Sequence, residues 1–157
     1  SESNANLFYC DVDGRTRDWC TPSDDRLWNS GTEESPVKTE YDPCPSGWRV
    51  PTYAELDELS ANYSSWTTDE NGQSGYWLSG PNVYTETAPQ VFFPAAGYRT
   101  QTQGWAVCRG YIGNYWSSRP MAIYPDTISI LYFHPLSVNV DVGSGRPAGF
   151  SVRCVIK

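Results

Sequence analysis

The sequence predicts an α+β domain, with one short capped helix set among many short strands and long loops. Three observations lead there. A Thr-x-x-Glu capping box begins at Thr52 and ends at Glu55. The C-terminal third alternates apolar and polar residues with period two, the mark of strands with one face buried. The 157 residues include 13 Gly and 12 Pro, which call for many turns and leave little room for long helices. This length suits a single domain, residues 1–157, able to bury its own core.

Residues 1–40 show no sustained period and read as a loop-rich N-terminal part. The stretch "TPSDDRLWNSGTEESPVKTEYDP" reads as loop with short extended pieces. At "VPTYAEL" the Thr52 hydroxyl caps a helix over 53–61, Pro51 fixes its entry, and Leu56 and Leu59 share one face. "DENGQSG" is the clearest turn. "GYWLSG" and "QVFFPAAGYR" read as strands, with Pro94 ending the second. Four more come after them: "GNYWSS", "TISILYF", "SVNVDVG" and "GFSVRCVIK". Alternation gives Val138, Val140 and Val142 one face against Asn139 and Asp141, and puts Phe150, Val152, Cys154 and Ile156 on one side of the last strand. Trp48, Trp77, Trp116, Phe133 and Phe150 are expected in the core. Trp105, Tyr111, Tyr124 and Tyr132 are candidate surface contacts.

The net charge of −7 argues against nucleic acid and anionic membrane surfaces, since binding to either draws on Lys and Arg clusters that the chain lacks. No apolar run reaches the roughly 18 residues of a membrane helix. "SESNANLFYC" has neither the basic end nor the apolar stretch of a signal peptide, so the chain is expected to begin inside a larger protein or after processing. There are 5 cysteines, no CxxC pair and 1 His, which argues against zinc. Cys44 with Cys154 would close nearly the whole domain, and Cys10 with Cys20 would close a short loop, leaving Cys108. Five reduced thiols are the alternative to the oxidising compartment that such pairing favours.

Chemistry is sparse. His134 has no motif that supplies a nucleophile and reads as a surface or contact histidine. "DVDGRTRDW" departs from a calcium loop, because its twelfth position would be Cys20. Glu55, Asp57 and Glu58 read as cap and exposed helix face, not as a glycosidase pair. No catalytic residue, metal site or cofactor is expected.

"DPCPSGWRVPT", "VFFPAAGYR", "YWSS", "LYF" and the ending "GFSVRCV" resemble the Fibrobacter succinogenes major paralogous domain, common in surface proteins of Bacteroidetes. The resemblance covers about residues 41–157. It implies a C-type lectin-like fold with one or two short helices, twisted antiparallel sheets and long loops, in which the last strand is central and the loops before it form the ligand face. It also implies kinship with formylglycine-generating enzymes and with variable proteins of diversity-generating retroelements, whose C-terminal stretch is mutated between fixed motifs. The sugar-binding triplets of calcium-dependent lectins are absent.

The expected function is a non-enzymatic, adhesin-like module on the extracellular or outer-membrane surface of a Gram-negative bacterium, part of a larger surface protein or pilus. It would present residues 119–148, a hypervariable candidate, to a protein or glycan ligand on a cell or phage surface. The expected contacts are Ile123, Tyr124, Asp126, His134, Leu136, Asn139 and Asp141, bordered by Pro147 and Ala148. A pilus-tip or stalk domain without its own ligand is the alternative, and an enzyme of the formylglycine-generating type the third reading. Cys108 alone does not supply the cysteine pair that such an enzyme needs.

Overall fold

A computed structural model of the chain describes residues 18, 20, 22–80, 89–124 and 126–157. In order, the elements are β1 (Trp48–Arg49), α1 (Tyr53–Ser60), β2 (Thr67–Thr68), β3 (Ser74–Leu78), β4 (Val91–Pro94), β5 (Tyr98–Arg99), β6 (Ala106–Val107), β7 (Gly113–Pro120), β8 (Thr127–His134), β9 (Ser137–Gly145) and β10 (Val155–Ile156). They form four small antiparallel sheets, β1–β10, β2–β3–β4, β5–β6 and β7–β8–β9, with one helix among the described residues. The α+β class is as expected.

The helix begins where the capping box places it. Thr52 Oγ1 accepts the Glu55 N–H at 3.2 Å, and Glu55 Oε2 accepts the Thr52 N–H at 2.9 Å. Arg49 donates to both Glu55 oxygens, at 2.7 and 2.6 Å, a fork geometry that fixes the carboxylate. The "DPCPSGWRV" loop ahead of the helix is organised by buried Asp42, which accepts N–H groups from Cys44 and Val50 and pairs with Lys38 at 2.8 Å.

The β7–β8–β9 sheet is the centre of the domain, and its β7 and β8 strands are buried on both faces. Successive residues of a strand point to opposite sides, so Tyr115 and Trp116 enter different cores. Tyr115, Leu131, Phe133 and Val140 pack with Leu56 of α1, Tyr76 and Leu78 of β3, and Phe93 of β4. Trp116, Ile128 and Ile130 pack on the other face with Ala148 and half-buried Trp28, Val142 and Phe150. "TISILYF" is therefore a central strand, not the half-buried one that its alternation predicts. At "YWSS" the β7 ladder is interrupted. Ser117 Oγ donates to the Ser129 carbonyl at 2.6 Å, and the Ser118 N–H donates to the Pro51 carbonyl at 2.8 Å. These bonds satisfy backbone groups that the broken ladder leaves over.

Several expectations are corrected. Ile130 faces Val142 and Tyr132 faces Asn139, so Val140 and Asp141 together oppose Leu131 alone. This β-bulge adds a residue and reverses the facing of the residues beyond it. Val138 and Val140 stay on the Phe133 side, whereas Val142 crosses to the Trp116 side. Asn139 Oδ1 accepts the Asp141 N–H at 2.9 Å and holds the bulge. The last strand is not continuous either. Residues 149–156 change partners along their length: Gly149 exchanges hydrogen bonds with Arg99, Ser151 bridges to β7, and β10 pairs only with β1. Ile156 is exposed. Trp48 and Trp77 are 42% and 37% exposed and are not core. Trp48 lies on the two-stranded edge sheet, and Trp77 packs at a tilt against Phe92, its cross-strand neighbour on β4.

Cys44 and Cys154 form a disulfide across 110 residues. Cys20 and Cys108 are free thiols. Cys10, the expected partner of Cys20, lies outside the described residues.

Candidate functional site

The expected ligand face divides in two. From Thr127 to His134 the β8 strand advances seven residues, roughly 23 Å at 3.3 Å per residue. Ile123, Tyr124 and Asp126 precede that strand. His134 and Leu136 lie at its other end, in the turn to β9. Asn139 and Asp141 are exposed along β9 between the two ends. Pro147 and Ala148 are buried at the first end, so they support that surface from within and do not border it as exposed contacts. A single face gathering all nine residues is not present, because the strand length holds its parts apart.

The end that precedes β8 is the better-built site. The Met121 N–H donates to the Thr127 carbonyl at 3.0 Å, and both the N–H and the hydroxyl of Thr127 donate to the Tyr124 carbonyl, at 3.2 and 2.7 Å. Asp126 takes a positive φ of 67°, which short polar residues tolerate better than bulky ones. The result is a pinned turn that shows Ile123 at 79% and Tyr124 at 61% exposure. Two residues that sequence reasoning missed complete it. Met121 and Gln101 approach the end of β9, where Gly143 and Gly145 have no side chain. A Cβ on Gly143 would come within 2.3 Å of Met121 Sδ, and one on Gly145 within 3.0 Å of Gln101 Oε1. The glycines of "VGSG" were the available signal, since glycine inside a strand marks close approach of another group.

Beneath this end lies a buried ion cluster that sequence reasoning also missed. Arg146 donates to Asp18 at 2.9 Å, to Asp25, to Ser23 Oγ at 3.2 Å and to the Asp24 carbonyl at 3.2 Å. One buried arginine therefore fastens Asp18 and residues 23–25 to the loop after β9. Pairing with two carboxylates offsets the cost of burying its charge.

The opposite end has different chemistry. His134 Nε2 lies 3.0 Å from Ser137 Oγ, a contact that superficially suggests a base beside a nucleophile. Its Nδ1 accepts the Leu136 N–H at 3.4 Å, which puts the neutral ring's proton on Nε2. The ring then donates to Ser137, so it caps the turn and has no free nitrogen to take the serine proton. Leu136 is 86% exposed at the tip.

Burial pushes the Tyr115 and Tyr76 phenols up. It also raises Tyr53, with help from the charges of Asp57 and Asp141 and against that of Arg119, whose guanidinium lies 4.5 Å over the Tyr53 ring. Among the described residues, no three His, Cys, Asp or Glu side chains are grouped to hold a metal, and no helix is long and apolar enough to cross a membrane. Comparison with protein-family models, curated proteins and solved structures finds no match to the chain.

Proposed function

We propose that the chain is a non-enzymatic binding module of a bacterial surface protein, with a C-type lectin-like arrangement, and that its ligand docks on the Ile123–Tyr124 turn. One observation carries this reading. Two large apolar side chains stand in solvent on a turn held by three hydrogen bonds. Fixed, exposed apolar residues favour association, because little order has to be gained on binding. A protein ligand is favoured over a glycan, since Ile123 offers a saccharide no hydrogen bond, whereas an aliphatic and aromatic pair suits the centre of a protein interface. The Cys44–Cys154 bond supports placement in an oxidising, extracellular setting. Variation of the kind the sequence motifs suggest would fall within residues 119–148, between the "YWSS", "LYF" and "GFSVRCV" motifs. A photo-cross-linking residue at position 124 should capture a surface protein from intact bacterial cells, and one at position 136 should not. Equal capture at both positions would overturn the assignment.

A further inference from the structure

A pocket of about 350 Å³ lies between α1, β4 and the β1–β10 pair, within the size range of small-molecule sites. Leu56 and Phe93 line it and are buried. Leu59 and Val91 line it too, and so does the cross-strand pair Trp48 and Ile156, which stays exposed. Leu56 and Phe93 floor the pocket from the core, and Trp48, Leu59, Val91 and Ile156 leave apolar surface facing its opening.

The charges that line this pocket are unequal. Glu55 is held on both oxygens by Arg49 and accepts the Thr52 N–H. Arg153 forms no ion pair among the described residues, and its guanidinium sits 5.7 Å from the centre of the Phe93 ring. An apolar cavity beside a guanidinium that has no ion-pair partner among the described residues selects locally for an anion with an apolar body. A cation is repelled there, and a sugar finds few hydrogen-bond partners among these side chains.

We propose that this pocket binds a medium-chain fatty carboxylate, with the alkyl chain on Trp48, Leu59, Val91 and Ile156 and the carboxylate on Arg153. The site is separate from the Ile123–Tyr124 turn and stands whether or not that turn binds a ligand.

Titration calorimetry of the oxidised chain with decanoate, below its micelle concentration, tests the assignment. One decanoate should bind per chain. Arg153→Ala, at an exposed position, should weaken decanoate by about tenfold or more through loss of the charged hydrogen bond, and should leave the weaker binding of decanol unchanged. Leu59→Trp should fill the pocket and remove both ligands, with circular dichroism melting used to confirm that each variant folds; if Leu59→Trp does not fold, Val91→Phe serves in its place. The proposal is overturned if the parent chain binds no decanoate. It is equally overturned if Arg153→Ala binds decanoate as well as the parent, or if filling the pocket leaves binding intact.

Discussion

Reducing the Cys44–Cys154 bond should lower stability by several kcal/mol without changing the native fold. The bond closes a span of 110 residues. The chain-entropy relation for such a loop gives about 16 cal/mol/K, or about 4.8 kcal/mol at 25 °C, as an upper figure, and measured losses commonly fall at about 2–5 kcal/mol. The folded ends stay together without it, because β1 pairs with β10 and the Lys157 N–H donates to the Gly47 carbonyl at 2.9 Å. The effect therefore falls on the unfolded chain, which expands once the link is gone. A single domain has about 5–15 kcal/mol in total, so the loss is a large share of it. Urea unfolding followed by tryptophan fluorescence, with and without reductant, measures it, and Cys44→Ala with Cys154→Ala gives the same comparison without reductant. The urea midpoint should fall and the m-value should rise as more surface is exposed on unfolding. A loss under about 1 kcal/mol, with thiol titration confirming reduction, would refute the reasoning.

Glu55 supplies a pH test. Burial raises its carboxyl, but the Arg49 guanidinium and the Thr52 N–H outweigh burial and bring it below the ordinary value of 4.5. A depressed acid stabilises the fold above its unfolded pKa, and that contribution is lost as pH falls through the folded value. Glu55→Gln should therefore flatten the fall in melting temperature below about pH 4.5, and should cost about 1 kcal/mol or less at neutral pH because the pair is partly solvated. Gly113→Ala would place a Cβ 2.0 Å from the Phe133 ring; denaturant unfolding should show a loss of about 1–3 kcal/mol from overpacking. Arg146→Ala removes the side chain that joins Asp18 and Asp25 to the loop after β9; it should cost about 1–3 kcal/mol and speed amide exchange in residues 22–28.

The parts of the fold that were legible in the sequence rest on local chemistry. Thr52 and Glu55 form a reciprocal pair three residues apart, so the two residue types alone place the helix. The alternation in "TISILYF" finds β8, but period two says nothing about what covers the second face, and the strand is buried on both. The bulge at Val140–Asp141 breaks the reading of "SVNVDVG". Its stabilising contact, Asn139 to the Asp141 N–H, looks in sequence like any exposed asparagine. Trp48 and Trp77 sit in apolar motifs that point to the core, although an edge strand and an outer sheet face receive tryptophan as readily when a groove or a neighbouring ring accepts it. Arg146 gives no local signal, because its partners lie more than 120 residues away in sequence. Of the expected contacts, Ile123 and Tyr124 stand exposed on one turn, as the sequence suggests. The length of β8, which no local pattern relates to the turns at its ends, places His134 and Leu136 at the far end of the sheet.

The comparison that tests the ligand assignment most directly is retention of the soluble chain on intact bacterial cells and on arrayed glycans, with three proteins side by side. These are the parent, Ile123→Ser with Tyr124→Ser, and His134→Ala with Leu136→Ser. All the altered side chains except His134 are largely exposed, and exposed substitutions cost about 0.5 kcal/mol or less, so melting temperatures should agree closely for the first pair. The account predicts that the parent is retained, that the Ile123–Tyr124 variant is lost, and that the His134–Leu136 variant behaves as the parent does. Retention of the Ile123–Tyr124 variant at parent level, or loss confined to the His134–Leu136 variant, would contradict it.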